Sequence, residues 1–279
     1  MKVKVLGSAA AEAMPALWCE CRVCQHALQH GGKDLRRRTC YLIDEDTLVD
    51  YGPDIYWQVN AFNVDLLKIR RLVMTHSHSD HFSPVELHWR RRGYSVVSSD
   101  IDLYSNEAVV DKLRASLGLE AEHQDFSHIF LKSHILEAGR EVLADGLHIL
   151  PIPAKHAPTE KPYFFVFTRQ GRSLLIANDT GFPEAEAWEL LSGCKIDLAL
   201  LDCCGGAHPK HKHMREGHMG AETNIEFRLK MLELGIIDEK TPVYANHFSH
   251  NCLNTHEELC QYLNPQGILV AYDGLELQV

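Results

Sequence analysis

The sequence contains no apolar run approaching the roughly 20 residues that cross a bilayer, so no membrane-spanning helix is expected. Its opening stretch, Met1-Lys2-Val3-Lys4-Val5-Leu6-Gly7, lacks the apolar segment and small-residue cleavage site of a secretory signal. It reads instead as a short strand ending in a glycine turn. These absences predict a cytoplasmic protein that does not engage membranes. An excess of positive charge is also lacking, since 28 Lys and Arg against 38 Asp and Glu give a formal charge of −10. Phosphate backbones are held by net positive surfaces, so nucleic acid is not the expected partner. A small anion remains compatible, because bound divalent ions would make one pocket locally positive. Low-complexity tracts, long linkers and short-period repeats are missing as well. Nine cysteines in 279 residues are too few for a disulfide-stapled scaffold.

What is present reads as paired strands punctuated by helices. Val3 to Leu6 is a strand, followed by an irregular stretch from Ser8 to about Arg38. Cys40 to Ile43 and Thr47 to Tyr51 flank Asp44-Glu45-Asp46 as a hairpin. Ile69 to Met74 is a buried-type strand. Ser83-Pro84 starts a helix with a cap residue before an N1 proline, and Asn106 to Leu117 is another. In the second half, Val142 to Pro151 leads to a hairpin around Arg169-Gln170-Gly171 and a strand at Ser173 to Ala177. Helices are predicted at Glu184 to Leu191, Gly220 to Leu234 and Thr255 to Leu263, and strands at Ile196 to Leu201 and Val243 to Ala245. Ile268 to Tyr272 and Leu275 to Val279 close the chain. Two sets of strands with helices between them predict an α+β fold in one domain, residues 1–279, built as an αββα sandwich.

The segment Thr75-His76-Ser77-His78-Ser79-Asp80-His81 puts four metal-ligand side chains within six residues at the end of an apolar strand. His76 and His78, two apart on extended chain, can point the same way. Asp80 and His81, at a helix start, point elsewhere, so one loop can serve two neighbouring ions. Imidazole and carboxylate together suit zinc, iron or manganese. A histidine-rich surface loop is the bland alternative, and four ligands at this spacing make it the weaker one.

The His-x-His-x-Asp-His pattern resembles the signature of the metallo-β-lactamase superfamily. His156 in Ala154-Lys155-His156, Asp179 in Asn178-Asp179-Thr180-Gly181 and His247 in Asn246-His247 follow in that superfamily's order, each where a strand gives way to a loop. The resemblance implies two catalytic divalent ions, zinc, manganese or iron. His76, His78 and His156 would hold one, Asp80, His81 and His247 the other, with Asp179 bridging.

Cys19-Glu20-Cys21-Arg22-Val23-Cys24 offers three thiolates, and their spacing suggests a metal in a reducing compartment. A closed structural zinc needs four ligands, and His250, three residues past His247, is the candidate for the fourth. Such a zinc-binding loop, near residues 15–30, would tie the irregular N-terminal stretch to the strand end that carries His247. A redox pair or simply buried cysteines are the competing readings. Gly7-Ser8-Ala9-Ala10, this cysteine cluster and Arg36-Arg37-Arg38 together are similar to the phosphoribosyl cyclic phosphate phosphodiesterases of the bacterial phosphonate pathway, where such cysteines and a histidine hold structural zinc. The same opening resembles protein B of pyrroloquinoline quinone biosynthesis, which departs from the full histidine signature that this chain keeps.

His218, in Glu216-Gly217-His218-Met219-Gly220, stands where phosphodiesterase branches of the superfamily place a histidine that assists proton transfer. A helix-cap or surface histidine is the alternative. Asp80 and His218 are the side chains expected to take part in the chemistry. The basic loop His208 to His213 reads as a mobile, solvated segment able to guide an anion. Arg36–Arg38 and Arg90–Arg92 read as solvated faces, with phosphate contact as the alternative. Cys203-Cys204-Gly205-Gly206 reads as pocket lining, its glycines leaving room for a substrate. The resemblance implies hydrolysis of a small, possibly cyclic, anionic phosphodiester by hydroxide that two ions activate. A lactone or thioester hydrolase of the same fold is the alternative enzyme, and a non-catalytic metal-binding accessory protein of quinone biosynthesis the alternative outside enzymes. A homodimer is compatible with any of these.

Overall fold

A computed structural model describes residues 1–120 and 125–279. The first half of the chain supplies β1 (Lys2–Gly7), β2 (Cys40–Ile43), β3 (Thr47–Val49), β4 (Arg71–Val73), β5 (Ile101–Ser105) and β6 (Leu131–Ile135). The second supplies β7 (Val142–Ala144), β8 (Leu147–Pro153), β9 (Tyr163–Arg169), β10 (Arg172–Ala177), β11 (Leu198–Asp202), β12 (Val243–Asn246) and β13 (Leu269–Val270). The last strand, β14 (Glu276–Gln278), returns to pair with β1, so both ends of the chain lie in the first sheet. The sheet orders are β14-β1-β2-β3-β4-β5-β6 and β13-β12-β11-β10-β9-β8-β7.

Alternation along the strands explains the layering. In β11, Leu198 and Leu200 face the other sheet, while Ala199 and Leu201 face helices. In β10, Leu174 and Ile176 face inward and Leu175 and Ala177 outward. Side chains two apart share a face, so a strand apolar on both faces must be covered on both. The inner cluster joins Val5, Ile43, Val49 and Val73 of one sheet to Phe165, Phe167 and Ile176 of the other. Helices α1 (Arg22–His30), α2 (Ile55–Ala61) and α3 (Glu107–Ser116) belong to the first half, and α4 (Ala185–Ser192), α5 (Ala221–Glu233) and α6 (His256–Leu263) to the second. Residues of α4, α5 and α6 cover the outer face of the second sheet, and residues of α2 and α3 that of the first. The fold is the expected αββα sandwich. Among the described residues, no helix is long and apolar enough to cross a membrane.

Several elements differ from the sequence expectation. The stretch from Ser8 to Arg38 contains α1, whose buried residues are only Val23, Cys24 and Ala27, too few to announce a helix. The segment after Ser83 is a 3-10 helix, Pro84–Arg90. Of the arginine runs, Arg92 is exposed as expected of a solvated face, whereas Arg36, Arg38 and Arg90 are engaged within the fold. Arg36 is 1% exposed and donates to Ser8 Oγ (2.9 Å), Ala271 O (2.7 Å) and His256 Nδ1 (3.0 Å). Arg38 pairs with Asp54, and Arg90 donates to the carbonyls of Ser99, Ile129 and Phe130.

The Arg36–His256 contact has a pH signature. Burial, with the charges of Arg36 and Lys33 beside it, pushes the His256 pKa down to about 4 from 6.5. The unfolded chain then binds the proton more readily, so stability is present above pH 6.5 and is lost as pH falls towards 4. After allowance for partial exposure, the loss is about 1–2 kcal/mol. His256→Gln keeps an acceptor for Arg36 and cannot be protonated. Its urea midpoint should fall less than that of the wild type between pH 7 and pH 4.5, and equal losses would refute the assignment.

Candidate metal centre

The parallel half of each sheet points its carboxyl ends at one rim, where ligands of open α/β sheets bind. Asp50 follows β3, the segment from Thr75 to His81 follows β4, Asp179 follows β10, Asp202 ends β11, and His247 follows β12. His156 follows β8 on the same rim. Asp50, Asp179 and His247 have left-handed backbone, with φ of 64°, 49° and 60°. Strain of this kind, of order 1–3 kcal/mol per residue, persists where the surroundings over-determine it and clusters at functional sites.

All seven expected ligands meet there. His156 Nε2 lies 3.2 Å from His78 Nδ1, His81 Nε2 lies 3.1 Å from Asp80 Oδ2, and His247 Nε2 lies 3.2 Å from Asp179 Oδ1. Asp179 reaches several of these rings, with Oδ1 3.6 Å from His156 Nε2 and Oδ2 2.9 Å from His81 Nε2. Ligands bound to one ion at about 2.0–2.2 Å are themselves roughly 3–3.5 Å apart, so these separations suit atoms sharing a cation.

The hydrogen bonds behind the rings fix which nitrogen faces inward. His81 Nδ1 lies 2.6 Å from Asp50 Oδ2 and His156 Nδ1 2.9 Å from Gly217 O, both acceptors, so each Nδ1 carries the proton. Thr39 Oγ1 donates to Ala9 O and so accepts from His247 Nδ1, at 2.8 Å. Thr75 Oγ1 donates to Asp50 and accepts from His76 Nδ1, at 2.9 Å. Four imidazoles therefore turn Nε2 to the centre, the edge that metal-binding histidines present when an outer partner holds Nδ1. His76 Nε2, His81 Nε2 and Asp179 Oδ2 are buried without a hydrogen-bond partner among the described residues. Burial pushes the His76 and His156 pKa values down, keeping these rings neutral. Burial also opposes charge on His81, yet Asp179 and Asp50 hold its pKa well above the ordinary value. Those carboxylates draw positive charge to that point, and a divalent ion can replace the proton. The donor set fits a metal site.

Asp50, Asp202, Thr39 and Thr75 were not singled out in the sequence. Asp202 is fully buried and accepts from His218 Nδ1 (2.8 Å) and from the backbone N–H groups of Asp179, Cys204 and Met219. With both oxygens engaged by four donors, it orients its neighbours and has little capacity left for an ion. A carboxylate closing the apolar strand Leu-Ala-Leu-Leu-Asp was the available signal, the one that marks Asp179 after its own strand. His218 packs against His156, ring centroids 4.7 Å apart. Burial lowers its pKa, but Asp202 outweighs this and the net value is about 9.

The loop from His208 to His213 is exposed at Pro209, Lys210 and His213, as expected of a solvated segment, while its backbone packs closely at His211 and Lys212. A Cβ on Gly205 would meet His211 O at 2.5 Å and one on Gly220 would meet it at 2.2 Å, while Lys212 O accepts from Glu222 N. Gly205 and Gly206 thus serve close packing of the chain on itself and do not open space for a substrate. Cys203 is fully buried within the helix-facing core and does not line the site.

The second cluster lies beside the first. Sγ of Cys19, Cys21 and Cys24 and a ring nitrogen of His250 all fall within 4.8 Å of one another. Sγ of Cys19 and Cys21 are 3.4 and 3.6 Å from His250 Nδ1, separations that suit a tetrahedral zinc site. All nine cysteines are free of disulfides. Burial pushes the Cys24 thiol up to about 12. It acts the same way on Cys21, but hydrogen bonds from His250 and the Cys24 backbone bring that thiol down to about 6.

The sequence profile described as the β-lactamase superfamily domain matches residues 46–234, about two thirds of the chain. The chain belongs to the metallo-β-lactamase superfamily. Among solved structures this superfamily member is similar to a diphosphatase from the PhnP family, at 24% identity and a TM-score of 0.76, over 100% of this chain and 97% of the other. It is also similar to zinc-bound PqqB from Methylobacterium extorquens, at 18% identity and a TM-score of 0.75, over all of both chains. At these identities the likeness shows the fold. A curated octanoyltransferase from Porphyromonas gingivalis (strain ATCC BAA-308 / W83) is 30% identical over 125 residues, which span 42% of this chain and 23% of that protein. These superfamily neighbours support a metal-dependent hydrolase.

Proposed function

We propose that the protein is a metal-dependent phosphodiesterase acting on a small phosphodiester. The observation that carries this reading is the gathering of ligand atoms on the rim: His76, His78 and His156 within 4.8 Å of one another, His81 beside Asp80, and the Asp179 carboxylate 2.9 Å from His81, 3.2 Å from His247 and 3.6 Å from His156. His76, His78 and His156 would hold one ion and Asp80, His81 and His247 the other. Bound ions of this type supply an acidified water as nucleophile and neutralise charge on the phosphoryl oxygens. Cys19, Cys21, Cys24 and His250 would hold a third ion, zinc, with a structural role. The resemblance of the N-terminal loop to phosphoribosyl cyclic phosphate phosphodiesterases supports the phosphodiester reading.

The chain's own contribution to bond breaking lies with His218 and Asp202. Asp202 accepts from His218 Nδ1 and turns the opposite ring edge away from itself, so Nε2 is the atom that can hand a proton to a departing alkoxide. Asp80 is held below the ordinary carboxylate range by His81 although burial opposes this, so it stays an anion at the centre. His218→Ala should lower kcat about 10²-fold on an alkyl phosphodiester, the range for general acid catalysis, and change little on a p-nitrophenyl ester whose leaving group needs no proton. Equal losses on both substrates would remove His218 from that role.

One observation favours a second reading, a hydrolase for medium-chain acyl thioesters: the segment shared with a protein named for octanoyl transfer. The two separate cleanly. Metal-loaded protein assayed on cyclic and linear phosphodiesters and on octanoyl thioesters should turn over the diesters, and thioester cleavage alone would replace the first reading by the second.

A further inference from the structure

Beside the metal centre lies a cleft of about 680 Å³ whose wall includes His78, His156, Lys155, Glu184, Glu186 and Glu216. Two of these are metal-centre imidazoles, so an arm attached to a phosphoryl group at the centre would extend into this space. Beyond the metal-centre imidazoles, its charge is the opposite of what a polyphosphorylated substrate requires. Among the described residues, Lys155 is the one cationic side chain lining it, and its ammonium is already 2.8 Å from Glu216 and 3.4 Å from Glu184. Glu186 is exposed and has no cationic partner among the described residues.

Other cations near the rim do not line the cleft: Lys112 keeps its charge and donates to Ser77 O, while Lys212 pairs with Glu222 and Arg215 with Glu226. The cleft therefore carries three carboxylates against one ammonium. A second phosphate placed there would face like charge, while a cationic arm would be drawn in and would suppress competing substrates.

We propose that the cleft selects phosphodiesters whose second arm is a cationic amino alcohol and rejects those that carry a further phosphate. The inference rests on the phosphodiesterase reading for its chemistry and deepens it by naming the substrate class. It also departs from the cyclic phosphates of phosphorylated ribose that the N-terminal resemblance suggests. Glu186 is the discriminating residue, since it is the carboxylate that Lys155 leaves uncompensated.

Binding tests this without turnover. Phosphocholine, glycerol 2-phosphate and 1,3-propanediol bisphosphate present the same phosphoryl group with a cationic, a neutral and an anionic arm. Calorimetric titration into manganese-loaded protein at low salt should rank them in that order, with about tenfold between neighbours, and the spread should shrink as salt screens the charges. Glu186→Lys, at an exposed position in the first turn of α4, leaves two carboxylates against two ammonium groups and should collapse the spread to within about twofold. In the wild type, equal affinities, tighter binding of the bisphosphate, or no binding of any of the three would overturn the proposal. If the ranking holds while no phosphodiester is hydrolysed, the proposed chemistry fails and the selectivity of the cleft stands.

Discussion

Asp179→Ala is expected to leave a folded protein that no longer holds the catalytic ions and has lost roughly 10³-fold or more in kcat/KM, on the order of 4 kcal/mol. Asp179 is 3% exposed, and its oxygens contact His81, His156 and His247. Burial alone would raise its pKa, but His247 and His81 hold it well below the carboxylate range, so it is the anion around which the imidazoles gather. Without it those rings keep their lone pairs, yet the charge shared by both ligand sets is gone. The backbone complicates the alanine variant, because φ of 49° disfavours a non-glycine residue lacking a short polar side chain. Asp179→Asn suits that conformation better and removes the same charge. Both variants should show metal loss by elemental analysis, and the asparagine variant should keep the urea midpoint of the wild type stripped of its catalytic ions. Retention of the full catalytic metal content in either would rule out a bridging role.

Cys19→Ser should cost one ion per chain and several kcal/mol of stability, a fall in Tm of about 10 °C at this size. The cysteine cluster connects loops far apart in sequence, since Cys19 and Cys21 contact His250 across some 230 positions. Around it the N-terminal loop is stitched to the strand end that carries His247. Ala10 N donates to Phe248 O and Phe248 N to Ser8 O, both at 3.0 Å. Those backbone bonds do not depend on the thiols, so the catalytic pair should survive the substitution at room temperature. An unchanged Tm with an unchanged metal content would return the cysteines to the reading of buried thiols.

Much of the layering was legible because β10 and β11 are apolar on both faces, which requires a sheet covered twice. The histidine loop was legible because its ligands are consecutive. His156, Asp179 and His247 were placed by chain order and strand ends. The orienting partners were not. Asp50 and Thr39 show no spacing relation to the rings they hold, because His81 and His247 reach them across 31 and 208 positions. Arg36 misled for a related reason. Arg36 is buried by Ser8, Ala271 and His256, residues that composition near Arg36 does not reveal. The solvation of the loop from His208 to His213 was legible in its charge, while the glycines packed against its backbone, Gly205 and Gly220, carry their meaning only in three dimensions.

The most direct test of the dinuclear centre is anomalous diffraction from crystals of the metal-loaded protein, recorded at the absorption edge of the metal supplied. The account predicts three peaks per chain: one within His76, His78 and His156, one within Asp80, His81 and His247 with Asp179 between the two, and one among the cysteines and His250. A lone peak at the cysteines, with the seven rim side chains turned away from one another, would contradict it.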